Sequence, residues 1–176
     1  MGRLDNSYYA DDPYGMIVKD FFDRYDLNDE LNEIVSTDEI KAMVKKEWNN
    51  TITLTNVVLN YVPKMIRDGL ISQAKDEIYW PLERFNDLFM YYVGMYCHPR
   101  VRNEYDSANN VEENRKKFIC KMRQLINEET VKRILIDIRD TFVERFIAFL
   151  VNQCLFNDTK ASFVSHMVDE CKQSFE

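Results

Sequence analysis

The stretch that decides the fold is residues 127–154, NEETVKRILIDIRDTFVERFIAFLVNQC. Its first half is amphipathic. Val131, Ile134, Leu135 and Ile138 fall on one side of a helical period, and Lys132, Arg133, Asp137 and Arg139 on the other. From Phe142 the polar side disappears: Phe142, Val143, Phe146, Ile147, Phe149, Leu150 and Val151 follow, with Leu155 just beyond. A helix that is apolar on every side has to be covered on every side. The reading is therefore all-α, a single-domain helical bundle over residues 1–176 with about seven helices around a long, apolar central helix at about 128–155.

The neighbouring text supplies the covering helices. Asp12-Pro13 is a helix-start pair, a capping carboxylate followed by proline at the first helical position, and Met16, Ile17, Phe21, Phe22 and Tyr25 then recur at helical spacing. Asn28 can cap a short turn through Ile34. Ser36-Thr37-Asp38-Glu39 reads as a capping box closed by Ser36 and Glu39, opening a helix from Thr37 to about Asn49. Thr51 to Thr55 alternates like a strand with no partner strand nearby, and is taken as an extended lead-in or a first helical turn. Pro63 is expected to kink or split the next helix, and Gly69 to cap its end. A stripe from Leu82 to Tyr96 stops at His98-Pro99, leaving residues 99–110 as a polar loop. Asn110 and Asn127 open two further helices, and Asp158 caps a last one whose Ala161, Phe163, Val164, Met167, Val168 and Cys171 face inward.

Composition agrees with a globular helical protein: 45% hydrophobic and 30% charged residues, with only four Gly and four Pro. Met1 to Asp20 contains Asp5, Asp11 and Asp12 and no unbroken apolar stretch, so no secretory leader is expected. No apolar run approaches a membrane-spanning length. These features point to an intracellular protein of the cytoplasm or nucleus. Cys97, Cys120, Cys154 and Cys171 are then expected to be reduced core thiols.

Residues that could carry chemistry are scarce. The sequence has no glycine-rich phosphate loop, no paired Cys-x-x-Cys and only two histidines, His98 and His166. Cys97 and His98 are chain neighbours, which point to different faces of a helix and do not form a nucleophile–base pair. Arg139, Asp140, Glu144 and Arg145 read as a solvated charged face. No catalytic residue, metal or cofactor is expected, and the chain is read as non-enzymatic.

Charge and aromatic placement say more. Met1 to Glu39 holds three basic and eleven acidic residues, a net −8 against −7 for the whole chain. A basic cluster follows at Arg100, Arg102, Arg115, Lys116, Lys117, Lys121 and Arg123, with Asn114 on the face of Lys117 and Lys121 and with Tyr105 available for stacking. Off the core stripe, Trp80, Tyr91, Met95 and Tyr96 suit a hydrophobic groove receiving a partner helix. The expected function is a protein–protein interaction module, an adaptor or regulator presenting such a groove or the acidic face to another protein. The alternative is a nucleic-acid-binding or nucleoprotein-associated domain using the basic cluster. Read without any ligand, the cluster is an ordinary solvated face, one that could also dock the acidic N-terminal segment.

An apolar helix wrapped by amphipathic ones is also the plan of Bcl-2-like proteins. The nearest text to that family's Asn-Trp-Gly-Arg-like turn, Arg67-Asp68-Gly69-Leu70, lacks the tryptophan and the second arginine, so no membership follows. A stack of HEAT-type hairpins is equally permitted, although no repeat period supports it. If the central-helix reading holds, Phe146→Ala lowers stability by roughly 3–5 kcal/mol, read from the urea unfolding midpoint. A loss below about 1 kcal/mol places Phe146 outside the core.

Overall fold

The computed structural model of the chain describes residues 12–175. The first eleven residues of the acidic segment, including Asp5 and Asp11, lie outside the described residues. Among the described residues there are nine α-helices and no strand, so the protein is an all-α helical bundle. The helices are α1 Pro13–Arg24, α2 Asn28–Val35, α3 Asp38–Leu59, α4 Lys64–Gln73, α5 Lys75–Ile78, α6 Leu82–Val101, α7 Val111–Leu125, α8 Glu128–Asn152 and α9 Asp158–Lys172. Short 3-10 turns cover Arg102–Glu104 and Gln173–Phe175. No helix among the described residues is long and apolar enough to cross a membrane.

Several helix starts follow local sequence. The Asp12 carboxylate accepts the Tyr14 amide at 3.0 Å with Pro13 at the first helical position. Asn110 accepts from the Glu113 amide at 2.8 Å, and Asn127 from the Thr130 amide at 2.9 Å. Two caps differ by one residue from expectation. Thr37, not Ser36, receives an amide of the first turn, that of Ile40, and the Ser36 hydroxyl donates to Asn32. Asn157, not Asp158, receives the Lys160 amide at 2.8 Å.

Two helix ends use a device the sequence hides. Asp26 and Cys154 adopt positive φ, 52° and 60°, where glycine is the usual occupant. After α1, the Leu27 amide bonds the Phe22 carbonyl and the Asp26 amide the Asp23 carbonyl. After α8, Leu155 bonds Leu150 and Cys154 bonds Val151 in the same pattern. Both are Schellman turns, and in the first the flanking Phe22 and Leu27 are fully buried. Gly69, expected to cap α4, lies inside that helix with open space around it.

The described residues gather into two compact units, residues 12–44 with 84–135 and residues 45–83 with 136–175. In the first, Phe21 anchors an aromatic cluster: its ring centre lies 5.2 Å from Phe118 and 4.9 Å from His98, and Tyr25 meets Phe118 edge-on at 4.9 Å. The helix expected to stop at His98-Pro99 runs on to Val101, and a 3-10 turn takes up the first part of the expected loop. The rest of that loop is pinned by Asn114, which is buried rather than presented with Lys117 and Lys121. Its side chain accepts the Asp106 amide at 3.0 Å and donates to the Asp106 carbonyl at 3.1 Å.

The core of the second unit is built on the apolar half of α8, through Phe142, Val143, Phe146, Ile147 and Leu150, with Leu54 and Val58 of α3 and Val164 and Val168 of α9. Phe163 is 52% exposed, contrary to its expected inward placement, and stands edge-on to Tyr61 at 5.5 Å. Thr51 to Thr55 lies in mid-helix. Within the helix each threonine hydroxyl is satisfied by a carbonyl one turn back: Thr51 donates to Glu47 at 2.7 Å, Thr53 to Asn49 at 3.1 Å and Thr55 to Thr51 at 2.8 Å. Pro63 does split the chain there, ending α3 and standing at the N-cap of α4.

Arg139 overturns the expectation of a solvated face. It is 6% exposed and bonds the equally buried Glu47 of α3 at 3.1 Å. Its Nε donates to Asp140 at 3.0 Å, its charge lies over the Phe175 ring at 5.5 Å, and Lys172 reaches Asp140 at 3.1 Å. Asn50 satisfies the other oxygen of Glu47 at 3.1 Å. A buried ion pair broken on one side leaves an uncompensated charge. Glu47→Leu or Arg139→Met alone is expected to cost about 3–5 kcal/mol, while the double substitution costs far less, as read by urea denaturation. Additive single losses would show that the two residues do not act as a pair.

Candidate functional site

The first unit carries a surface groove of about 480 Å³, open rather than enclosed. Ile34 comes from the last turn of α2, Ile40 from the first turn of α3, and Ile126 closes α7. These three isoleucines form the floor and keep 8%, 7% and 7% of their surface open, so their outer edges meet solvent. Glu33, Glu39 and Glu128 stand on the rim with Thr37 and Arg123, and all five are exposed. Glu39 and Glu128 lie in the first turns of α3 and α8, where a carboxylate complements the helix dipole. Glu33 lies in the last turn of α2, where it does not.

The walls are tied by the basic residues of α7. Arg115 donates to the Tyr25 and Asp26 carbonyls at 3.1–3.3 Å and pairs with Glu30 at 3.6 Å. Arg123 reaches the other oxygen of Glu30 at 3.4 Å. Two of the seven cluster residues, Arg115 and Arg123, thus meet the acidic segment, at Tyr25, Asp26 and Glu30. Lys117 pairs with Asp106 at 3.8 Å and Lys121 with Glu104 at 3.7 Å. Arg100 lies over the Tyr96 ring at 3.9 Å and donates to the Tyr96 carbonyl. Arg102, Lys116 and Tyr105 are exposed.

The aromatic candidates are divided between the units. Trp80 belongs to the second, half-buried, its ring 4.3 Å from that of Phe142 and its carbonyl accepting from the Trp48 indole at 2.8 Å. Tyr91, Met95 and Tyr96 belong to the first and are half-buried. The Tyr91 hydroxyl donates to Asp12 at 3.2 Å, and burial, then the Asp12 charge, pushes that phenol up. The floor of the groove was not legible, because its three isoleucines come from separate segments and each scans as ordinary core.

The chain matches no family model, no curated protein and no solved structure.

The reactive side chains are placed as follows. Cys97 is buried in an apolar setting that pushes its thiol up to about 12, which removes the thiolate a nucleophile needs. Cys120 and Cys154 are exposed and Cys171 half-buried, so the expected core placement holds only for Cys97; all four are free thiols. His166 is exposed and pairs with Glu170 at 3.2 Å. Among the described residues no group of three His, Cys, Asp or Glu is placed to hold a metal ion.

His98 is 2% exposed, with Nδ1 2.9 Å from the Tyr14 hydroxyl. Burial first, then Arg102, holds its imidazole below the ordinary 6.5. The folded chain therefore favours the neutral ring, and the unfolded chain binds the proton first as pH falls. The stability from neutral His98 is complete above about pH 6.5 and is lost as pH falls from there toward the lower folded value. His98→Asn is expected to flatten urea midpoints across that window. Identical slopes in wild type and variant would assign the pH dependence elsewhere.

Proposed function

We propose that the chain is a non-catalytic helical interaction module, an adaptor or regulator, and that the groove between α2, α3, α7 and α8 is where it docks a partner protein. One observation carries this reading: three isoleucines from three elements keep apolar edges open at the base of a groove about 480 Å³ in volume. That lies within the roughly 300–1,000 Å³ of clefts that hold ligands. Helix-in-groove recognition needs an apolar floor on rigid walls with a polar rim, and four helix segments supply the walls here. The basic cluster lends less support to a nucleic-acid partner, because Arg115, Lys117, Lys121 and Arg123 already face carboxylates of their own unit.

The test is site-specific photo-crosslinking in cell extract, with benzoylphenylalanine in place of Glu33, Glu128 or, as a control on the exposed side of α8, Lys132. The expected outcome is an adduct with one protein at positions 33 and 128 and none at 132. The captured protein, once purified, is expected to bind the wild-type chain and to be displaced from it by charge reversal at Glu33 and Glu128. Equal adducts at all three positions, or none at 33 and 128, would sink the docking reading.

A further inference from the structure

The groove has a charge pattern that selects its occupant, an inference that rests on the docking reading above. Its rim carries three carboxylates, Glu33, Glu39 and Glu128, each from a different helix, and no ion pair among the described residues neutralises them. The one guanidinium on the rim, Arg123, is held by Glu30 at 3.4 Å. The surrounding sequence adds to the same sign, since residues 12–39 hold nine acidic and two basic side chains.

Glu33 sharpens this. It stands in the last turn of α2, where the helix dipole presents its negative end and no basic residue offsets it. A carboxylate there works against its own helix, and a cation supplied from outside relieves that conflict. Glu39 and Glu128 are partly balanced by the positive ends of α3 and α8, so of the three rim carboxylates Glu33 is the one that its own helix does not offset.

We infer that the occupant is a basic amphipathic segment of another protein. It places an aliphatic or aromatic side chain on the Ile34, Ile40 and Ile126 floor and sets Lys or Arg on both sides of it, one of them facing Glu33. An acidic or neutral segment would cover these carboxylates without giving them a partner, which costs affinity and slows encounter. A second copy of this chain is a poor donor of such a segment. Of the five basic side chains on α7, Arg115, Lys117, Lys121 and Arg123 are engaged within their own unit, and the exposed Lys116 by itself does not supply cations on both sides of an apolar residue.

The test uses the full chain and a random peptide library displayed on phage. Enriched peptides are synthesised and titrated into isoleucine-methyl-labelled protein, wild type and the Glu33→Gln/Glu39→Gln/Glu128→Gln variant, which removes charge from three exposed positions and leaves the floor intact. The expected result is enrichment of sequences with Lys or Arg flanking an apolar residue, shifts at the Ile34, Ile40 and Ile126 methyls, and about tenfold weaker binding to the variant. Peptides that shift those methyls but carry no excess of Lys or Arg, or bind the variant equally well, overturn the inference and leave the docking site standing. The same shifts produced by raising the chain's own concentration identify a second copy as occupant and overturn it too. If no peptide moves those methyls, the docking reading falls with it.

Discussion

A helix that ends against other helices leaves carbonyls that must find donors, and at the end of α1 the donor is Arg115. The Schellman turn satisfies the carbonyls of Phe22 and Asp23 internally, and the guanidinium takes those of Tyr25 and Asp26. The same side chain reaches Glu30 at the start of α2, and Arg123, about two turns further along α7, holds the second oxygen of that carboxylate. Each of these part-exposed pairs is worth only about 0.2–1 kcal/mol. Their effect is geometric. With Glu30 held at two points, α2 is fixed on α7, and the separation of Ile34 and Ile126 across the groove is fixed with it.

Charge therefore plays opposite parts in the two units. In the second, Glu47 and Arg139 are taken out of water together and each finds further partners, so the charge is used up in holding α3 and α8. In the first, Glu33, Glu39 and Glu128 stay in solvent around an apolar floor. Groups arranged in the first way specify a packing, and groups arranged in the second remain available to another molecule.

What could be read from sequence was mostly local. Asp12-Pro13, Asn110 and Asn127 declare helix starts within three or four residues, and the apolar half of α8 declares its own burial. The misses have physical reasons. Arg139 is four residues beyond Leu135 and three before Phe142, so it stands on the apolar stripe; Glu47 likewise follows Val44 by three. A charge on a core stripe is the signal of a buried pair, but the two partners are 92 residues apart and nothing local joins them. Asp26 and Cys154 end helices in a conformation usually announced by glycine, and neither announces it. Threonine alternation in 51–55 resembles a strand because β-propensity ignores hydroxyls that can return to the helix backbone. The groove floor left no local trace, since a partly open isoleucine and a closed one are written with the same residue.

The threonine segment has a consequence for the chain before it is folded. Residues 51–59, TITLTNVVL, carry no charge and no proline and are rich in β-branched side chains, which is the composition that favours stacked strands between molecules. Within α3 those residues are committed to helical hydrogen bonds, and Thr51, Leu54, Thr55, Val58 and Leu59 are shut away from water. Lys45 and Lys46, a turn upstream and exposed, are placed where like charges on neighbouring chains discourage such stacking. The integrity of α3 is thus also the protein's protection against assembling with itself through this segment.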